Sequence, residues 1–146
     1  MRLWAHDSAR VCVHFISAFG EHVIGEEVEY ALMTAAKEIG LAISEFTVAP
    51  QVNPIDSGLP YHEWFIETAE NIPSLSAFEQ RVDELLQEKN VYYKDLIQGK
   101  VLRRLRINIL PKGTFVNYMK KEGKLGGQNK VPRLSNDRKI ADQLIV

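Results

Sequence analysis

The sequence has 146 residues, 45% hydrophobic and 25% charged, a composition that fits one folded domain with a modest core and excludes a disordered chain. Its single cysteine excludes an internal disulfide, no apolar run approaches the roughly 20 residues that cross a bilayer, and residues 1–10 lack the apolar centre of a secretory signal, so a cytoplasmic protein is expected. The net charge of -1 hides a split: residues 1–99 carry 6 Lys and Arg against 16 Asp and Glu, while residues 100–146 carry 12 against 3. Such a division suits a nucleic-acid surface, a phosphate-bearing ligand, or two complementary faces of one domain.

Residues 11–17 are rich in β-branched and aromatic side chains and end at Ala18-Phe19-Gly20, the pattern of a strand entering a turn, with Cys12 as a buried thiol. Gly20 and Gly25 bracket a short strand at Val23-Ile24. From there Val28, Ala31, Leu32, Ala35 and Ile39 follow the spacing of one helical face, Glu26, Glu27 and Glu29 sit where the helix dipole favours them, and Gly40 supplies a stop. Residues 43–48 and 61–68 alternate as strands, joined by a long Pro- and Gly-bearing connection, and can pair as a hairpin. Ser76 and Glu79 have capping-box spacing, and Phe78, Val82, Leu85 and Leu86 predict a helix to about residue 89.

Residues 92–98 predict a short helical turn. Residues 104–110 alternate basic or polar side chains with Leu105, Ile107 and Ile109, a strand closed by Pro111-Lys112-Gly113. Thr114 can cap a helix carrying Phe115, Tyr118 and Met119, and Ser135 or Asn136 a final one carrying Ile140, Leu144 and Ile145. The expected fold is α+β, a small, mostly antiparallel sheet flanked by helices in the order β-α-β-β-α-β-α-α.

Chemistry points first to Lys124-Leu-Gly-Gly-Gln-Asn-Lys-Val-Pro-Arg133. Gly126 and Gly127 permit close approach of a ligand, Pro132 restrains the turn, and Lys130 and Arg133 place two cations beside it, a set suited to a carboxylate or phosphate. A solvated loop before a capped helix accounts for the same residues, and the spacing is not that of a phosphate-binding P-loop. His22 beside Glu21 could form an acid/base pair, although no third partner is placed by spacing. Tyr61-His62-Glu63-Trp64-Phe65 reads as core on one side and amphipathic cover on the other. Arg103, Arg104 and Arg106 could meet nucleic acid, but the acidic first two thirds of the chain oppose a phosphate backbone. One cysteine and four scattered histidines give no zinc-site spacing.

Taken in order, His14-Phe15-Ile16-Ser17-Ala18-Phe19-Gly20-Glu21, Tyr61-His62-Glu63-Trp64, Pro111-Lys112-Gly113-Thr114-Phe115 and Gly126-Gly127-Gln128-Asn129-Lys130-Val131-Pro132-Arg133-Leu134 resemble one family. It is the C-terminal domain of the auxin-responsive Gretchen Hagen family of acyl-acid amido synthetases, in the acyl-adenylate-forming superfamily, and the pattern looks closer to bacterial members than to plant ones. The resemblance implies a two-step ligase that uses ATP and magnesium to turn a carboxylic acid into an acyl-adenylate, then transfers the acyl group to an amine.

It further implies that residues 14–146 form a mobile domain that pivots between the half-reactions, with Lys130 as the adenylation lysine and Gly126, Gly127, Gln128 and Arg133 as its substrate and phosphate loop. Residues 1–13 match nothing in the family. Where a Gly-Arg hinge is expected, the sequence has Arg10-Val11-Cys12-Val13. The partner would be an N-terminal adenylation domain, in cis or in trans, holding most of the ATP and magnesium site and the acid site. Alone the chain is expected to be inactive. The alternative is a stand-alone interaction or regulatory module with the same fold and no catalysis.

Overall fold

The structure, a computed structural model, describes residues 15–16, 19–123 and 131–145. Its elements in chain order are β1 (Phe15–Ile16), β2 (Val23–Ile24), α1 (Gly25–Glu38), β3 (Glu45–Gln51), β4 (Tyr61–Glu67), α2 (Leu75–Lys89), α3 (Val91–Gln98), β5 (Arg106–Leu110), α4 (Thr114–Lys121) and α5 (Lys139–Leu144). β1 and β2 pair antiparallel as a separate two-stranded ribbon. β3 and β4 pair antiparallel from Glu45 opposite Glu67 to Gln51 opposite Tyr61, the hairpin with a long connection that the alternation predicts. β5 joins β4 in parallel, Glu63 opposite Arg106 through Glu67 opposite Leu110. The α+β class holds, and the small sheet is mixed. A parallel neighbour requires the chain to cross back to the end where β4 began, and α2 and α3 make that crossover.

Strand alternation then divides the interior in two. Phe46, Val48, Trp64, Ile66, Leu105 and Ile107 meet the apolar faces of α1, α2 and α3. On the opposite side Ala49, Phe65 and Leu110 meet Phe115 and Met119 of α4, Ala141 and Leu144 of α5, and Val131. Trp64 and Phe65 are both fully buried, one on each face. The stripe Val28, Ala31, Leu32 and Ala35 of α1 is buried as its spacing predicts. Ile39 is 47% exposed, because the helix ends at Glu38 and Gly40, with φ of +69°, turns the chain away.

Three expected caps are placed differently. α2 starts at Leu75, with Ser74 as N-cap accepting the Ala77 amide at 3.2 Å. Glu79 instead accepts the Ile107 amide at 2.7 Å, satisfying a donor on the edge strand β5. α4 is preceded by Gly113 with φ of +94°, and Thr114 Oγ1 donates to the Pro111 carbonyl at 2.6 Å. The amides of this helix start go to the buried carboxylate of Glu67: Gly113 N at 3.1 Å and Phe115 N at 2.9 Å. α5 begins only at Lys139, whose amide donates to Asp137 Oδ1 at 3.0 Å, rather than after Ser135 or Asn136. Leu105, just before β5, and Ile107 within it are buried as expected, but Ile109 is 38% exposed and Leu110 takes the second core.

Glu67 therefore acts as a cap reaching from the sheet into a helix start 46 residues later. Glu67→Ala leaves two amides without their acceptor and should destabilise the domain by about 1–3 kcal/mol in urea denaturation. Glu67→Gln, which keeps an acceptor oxygen, should recover part of that loss.

Candidate functional site

The second face of the sheet carries Glu45 and Thr47 on β3 and Glu63 and Glu67 on β4, side chains that share a face by the period of two. Polar groups on a covered face need partners, and the basic last third of the chain supplies them. Thr47 Oγ1 donates to the Pro132 carbonyl at 2.6 Å. Arg133 Nη1 meets Glu45 Oε1 at 2.7 Å, and its guanidinium lies 4.5 Å from the centre of the Phe46 ring. The Val48 amide donates to the Arg133 carbonyl and the Ser135 amide to the Val48 carbonyl, each at 2.9 Å, so Leu134 forms a parallel bridge with Val48. Residues 132–135 thus lie along the outer edge of β3, with Leu134 fully buried.

The same face fixes the next stretch. Arg138 Nη2 pairs with Glu63 Oε1 at 2.9 Å, Arg138 Nη1 donates to the Pro50 carbonyl at 3.2 Å, and Asn108 Nδ2 donates to Glu63 Oε2 at 2.6 Å. Arg138 Nε also holds Asp142 of α5 at 3.0 Å. Both partners of the Arg138–Glu63 pair are largely shielded from solvent, which makes the pair structural rather than decorative.

Of the residues singled out by sequence, Gly126, Gly127, Gln128 and Lys130 lie outside the described residues, as does Cys12. The structure describes what flanks the glycine-rich segment: α4 running into Gly123 on one side and buried Val131 on the other. Arg133 is 38% exposed in its side chain and bound to Glu45 and Phe46. Among the described residues no group of three or more His, Cys, Asp or Glu side chains is placed to hold a metal ion. None of the described helices is long and apolar enough to cross a membrane.

A second polar cluster lies inside the first core, and spacing alone does not find it. Glu21 pairs not with its neighbour His22 but with His62 of β4, whose Nε2 donates to Glu21 Oε2 at 2.6 Å, both side chains being fully buried. Glu21 Oε1 also accepts the Phe19 amide at 2.9 Å. The His62 ring packs against Tyr93 of α3 with centroids 5.2 Å apart. Tyr93 OH donates to Asp83 of α2, and Asp83 also accepts from Gln87 at 2.6 Å and from the Leu105 amide at 3.3 Å. Burial pushes the Tyr93 hydroxyl well above its ordinary pKa, and the Asp83 charge pushes it the same way, so Tyr93 acts as a neutral donor. The one local signal was Asp83 itself, a carboxylate set beside Val82 and one turn from Leu86 in an apolar stripe.

This is a small α+β domain whose basic C-terminal third is fastened to the polar face of a mixed sheet. The sequence model of the GH3 family C-terminal domain matches residues 26–139, and the chain belongs to that family. Two solved structures share the fold. One is AtGH3.15 acyl acid amido synthetase in complex with 2,4-DB, with a TM-score of 0.69 and 18% identity over 90% of this chain and 25% of that one. The other is GH3.15 acyl acid amido synthetase, with a TM-score of 0.69 and 17% identity over 90% of this chain and 26% of that one. The chain spans about a quarter of the length of these enzymes. No curated protein sequence matches it at a significant level.

The Glu21–His62 pair has a testable pH signature. Burial pushes the Glu21 carboxyl up, but its hydrogen bond to His62, the His62 charge and the Phe19 amide together outweigh that and hold it below its ordinary value of 4.5. A carboxyl lowered by folding stabilises the fold fully above its unfolded pKa, and that contribution is lost as pH falls through the lower folded-state value. Glu21→Gln should cost about 2 kcal/mol at neutral pH. In a series of urea denaturations at decreasing pH, the gap between variant and parent should shrink below about pH 4.5; a gap that stays constant would show that the pair does not titrate with folding.

Proposed function

We propose that this chain is the C-terminal domain of an ATP-dependent acyl acid amido synthetase acting in the cytoplasm. On this reading it supplies Lys130 to the adenylation half-reaction and pivots for acyl transfer to an amine. The observation that carries the proposal is the family match over residues 26–139 in a chain that spans a quarter of the similar enzymes. The fastening of residues 131–135 supports it further, since Lys130 is one peptide bond from buried Val131.

The chemistry asks for such a group. Attack of a carboxylate on a phosphate brings two anions together, and more negative charge gathers on the departing pyrophosphate. A positioned ammonium there can contribute several kcal/mol in the transition state. On this reading the magnesium ligands and the bulk of the ATP site belong to the N-terminal domain and the lysine to this one. Withdrawal of the domain would then clear the site for the incoming amine.

The test joins the chain to an N-terminal adenylation domain of the family, in cis or in trans. Lys130→Ala should slow acid-dependent pyrophosphate exchange by about 10²–10³-fold while leaving aminolysis of a preformed adenylate nearly unchanged. Equal loss in both half-reactions would remove the lysine from this role. A parent chain that neither binds the adenylation domain nor supports exchange would instead be a stand-alone interaction module.

A further inference from the structure

Arg103, Arg104 and Arg106 stand together where the chain enters β5, and the fold gathers their side chains. With Leu105 and with Glu79 of α2 they line a concave site of about 390 Å³. Guanidiniums repel one another at such range, so a cluster of three calls for neutralisation. Among the described residues that neutralisation is incomplete. Arg103 Nη2 contacts both Asp56 carboxylate oxygens, at 2.9 and 3.0 Å, while its Nε is buried with no acceptor. Arg104 Nη2 stands 3.9 Å from Glu79 Oε1, beyond hydrogen-bond range, and Glu79 Oε2 is taken by the Ile107 amide. Arg106 meets no carboxylate among the described residues, and its guanidinium lies 5.6 Å from the centre of the Tyr61 ring. Three cations against Asp56 and Glu79 leave the site positive, with the donors of Arg104 and Arg106 unused.

The backbone and stems that carry these donors are held in place. The Arg103 guanidinium lies 4.7 Å from the same Tyr61 ring centre, and the Arg103 amide donates to the Pro60 carbonyl at 3.0 Å. Gly58 passes so close that a Cβ there would stand 3.2 Å from Arg103 Cζ. Arg106 is fixed in the ladder opposite Glu63 of β4. Ordering these groups before a ligand arrives removes part of the cost of binding.

We propose that this site binds a phosphate group, as the free ion or as a compact phosphate monoester. Such a group carries about −1.5 to −2 charge at neutral pH and three strong acceptor oxygens. It can take donors from several guanidiniums at once, whereas a planar carboxylate is satisfied by the fork of one. A nucleic acid would need positive surface along many phosphates. Here Asp56 and Glu79 bound the cluster, and residues 1–99 carry 16 Asp and Glu against 6 Lys and Arg.

The rung that pairs Glu63 with Arg106 lies four residues along the ladder from the rung of Glu67, Leu110 and Glu45, the partner of Arg133. At the rise of a strand that is about 13 Å. The phosphate site and the stretch that follows Lys130 therefore approach opposite ends of the sheet, and the inference does not rest on the adenylation reading.

Heteronuclear NMR of the isotope-labelled chain tests it. Inorganic phosphate, added at constant ionic strength against sodium chloride, should give saturable shifts of the amide signals of residues 103–106 and of the Arg104 and Arg106 Nε signals. Arg104→Gln and Arg106→Gln, both at exposed side chains, should each raise the apparent Kd about tenfold with unchanged circular dichroism, the worth of one hydrogen bond to a charged group. Lys112→Gln, at an exposed cation beyond the other end of β5, should leave it unchanged. Phenyl phosphate distinguishes the sources: tighter binding than the ion marks an ester as the ligand, weaker binding the ion, and either keeps the site. Shifts that do not saturate, or that chloride alone reproduces, overturn the proposal. So does an affinity that survives both arginine variants or falls equally with Lys112→Gln, and so does a single-stranded oligonucleotide that binds through these arginines when phosphate does not.

Discussion

The fold depends on the need to pair the polar side chains that one face of the sheet turns inward. Glu45, Thr47, Glu63 and Glu67 stand where an ordinary sheet would place aliphatic groups, and a shielded carboxylate left alone is costly. Each is matched by a group from residues 108–138: Arg133, the Pro132 carbonyl, Arg138 with Asn108, and the amides that open α4. Phe65, Ala49 and Leu110 supply the apolar attraction between the same layers, but it has no direction. The polar pairs determine where each turn of the C-terminal third comes to rest. The split between an acidic first part and a basic last part thus has an internal use. It joins two layers of one domain, the third of the meanings such a split can have.

The legible parts of the sequence were those governed by local periodicity. The buried stripe of α1, the β3–β4 hairpin, the short β2 and the extent of α2 follow from side-chain spacing within about a dozen residues. The caps were less legible because several polar residues near each helix start can serve. Ser74 immediately precedes α2 and Ser76 falls in its first turn; Ser74 takes the Ala77 amide, while Glu79, the other half of the expected box, goes to the Ile107 amide. The parallel seating of β5 was not legible either, since it depends on where two intervening helices return the chain. At the candidate site, the order of the motifs identified the family and marked the glycine-rich segment. The partners of Arg133, 85 or more residues away along the chain, left no trace that spacing could read.

The buried cluster of Glu21, His62, Tyr93 and Asp83 shows the same limit from inside the core. His22 was the obvious partner for Glu21 by adjacency, but the chain turns here, with φ of +92° at Gly20 and +48° at His22, and folding brings His62 of β4 to Glu21 instead. The cluster links the segment before α1 to the sheet, the sheet to α3 by ring contact, and α3 to α2 through the tyrosine hydroxyl. Apolar packing among α1, α2 and the sheet would tolerate small shifts of these helices. Hydrogen bonds of 2.6 Å between fully buried groups do not.

These two polar systems bear on how a domain of this size could act on a distant site. On the proposed reading the lysine works in another domain's active site, so the error in its placement is the sum of the errors of everything between it and the pivot. The segment between β1 and β2 carries Glu21, which holds the Phe19 amide and which His62 ties to β4. β4 ties through Thr47 and Glu45 of its neighbour β3 to residues 132–135, the stretch that follows Lys130. A single strand pair therefore connects the segment before α1 to the stretch that follows the glycine-rich segment, and each joint is a short, directional hydrogen bond or ion pair. Residues that break one of its joints would affect it directly, even where they touch no substrate.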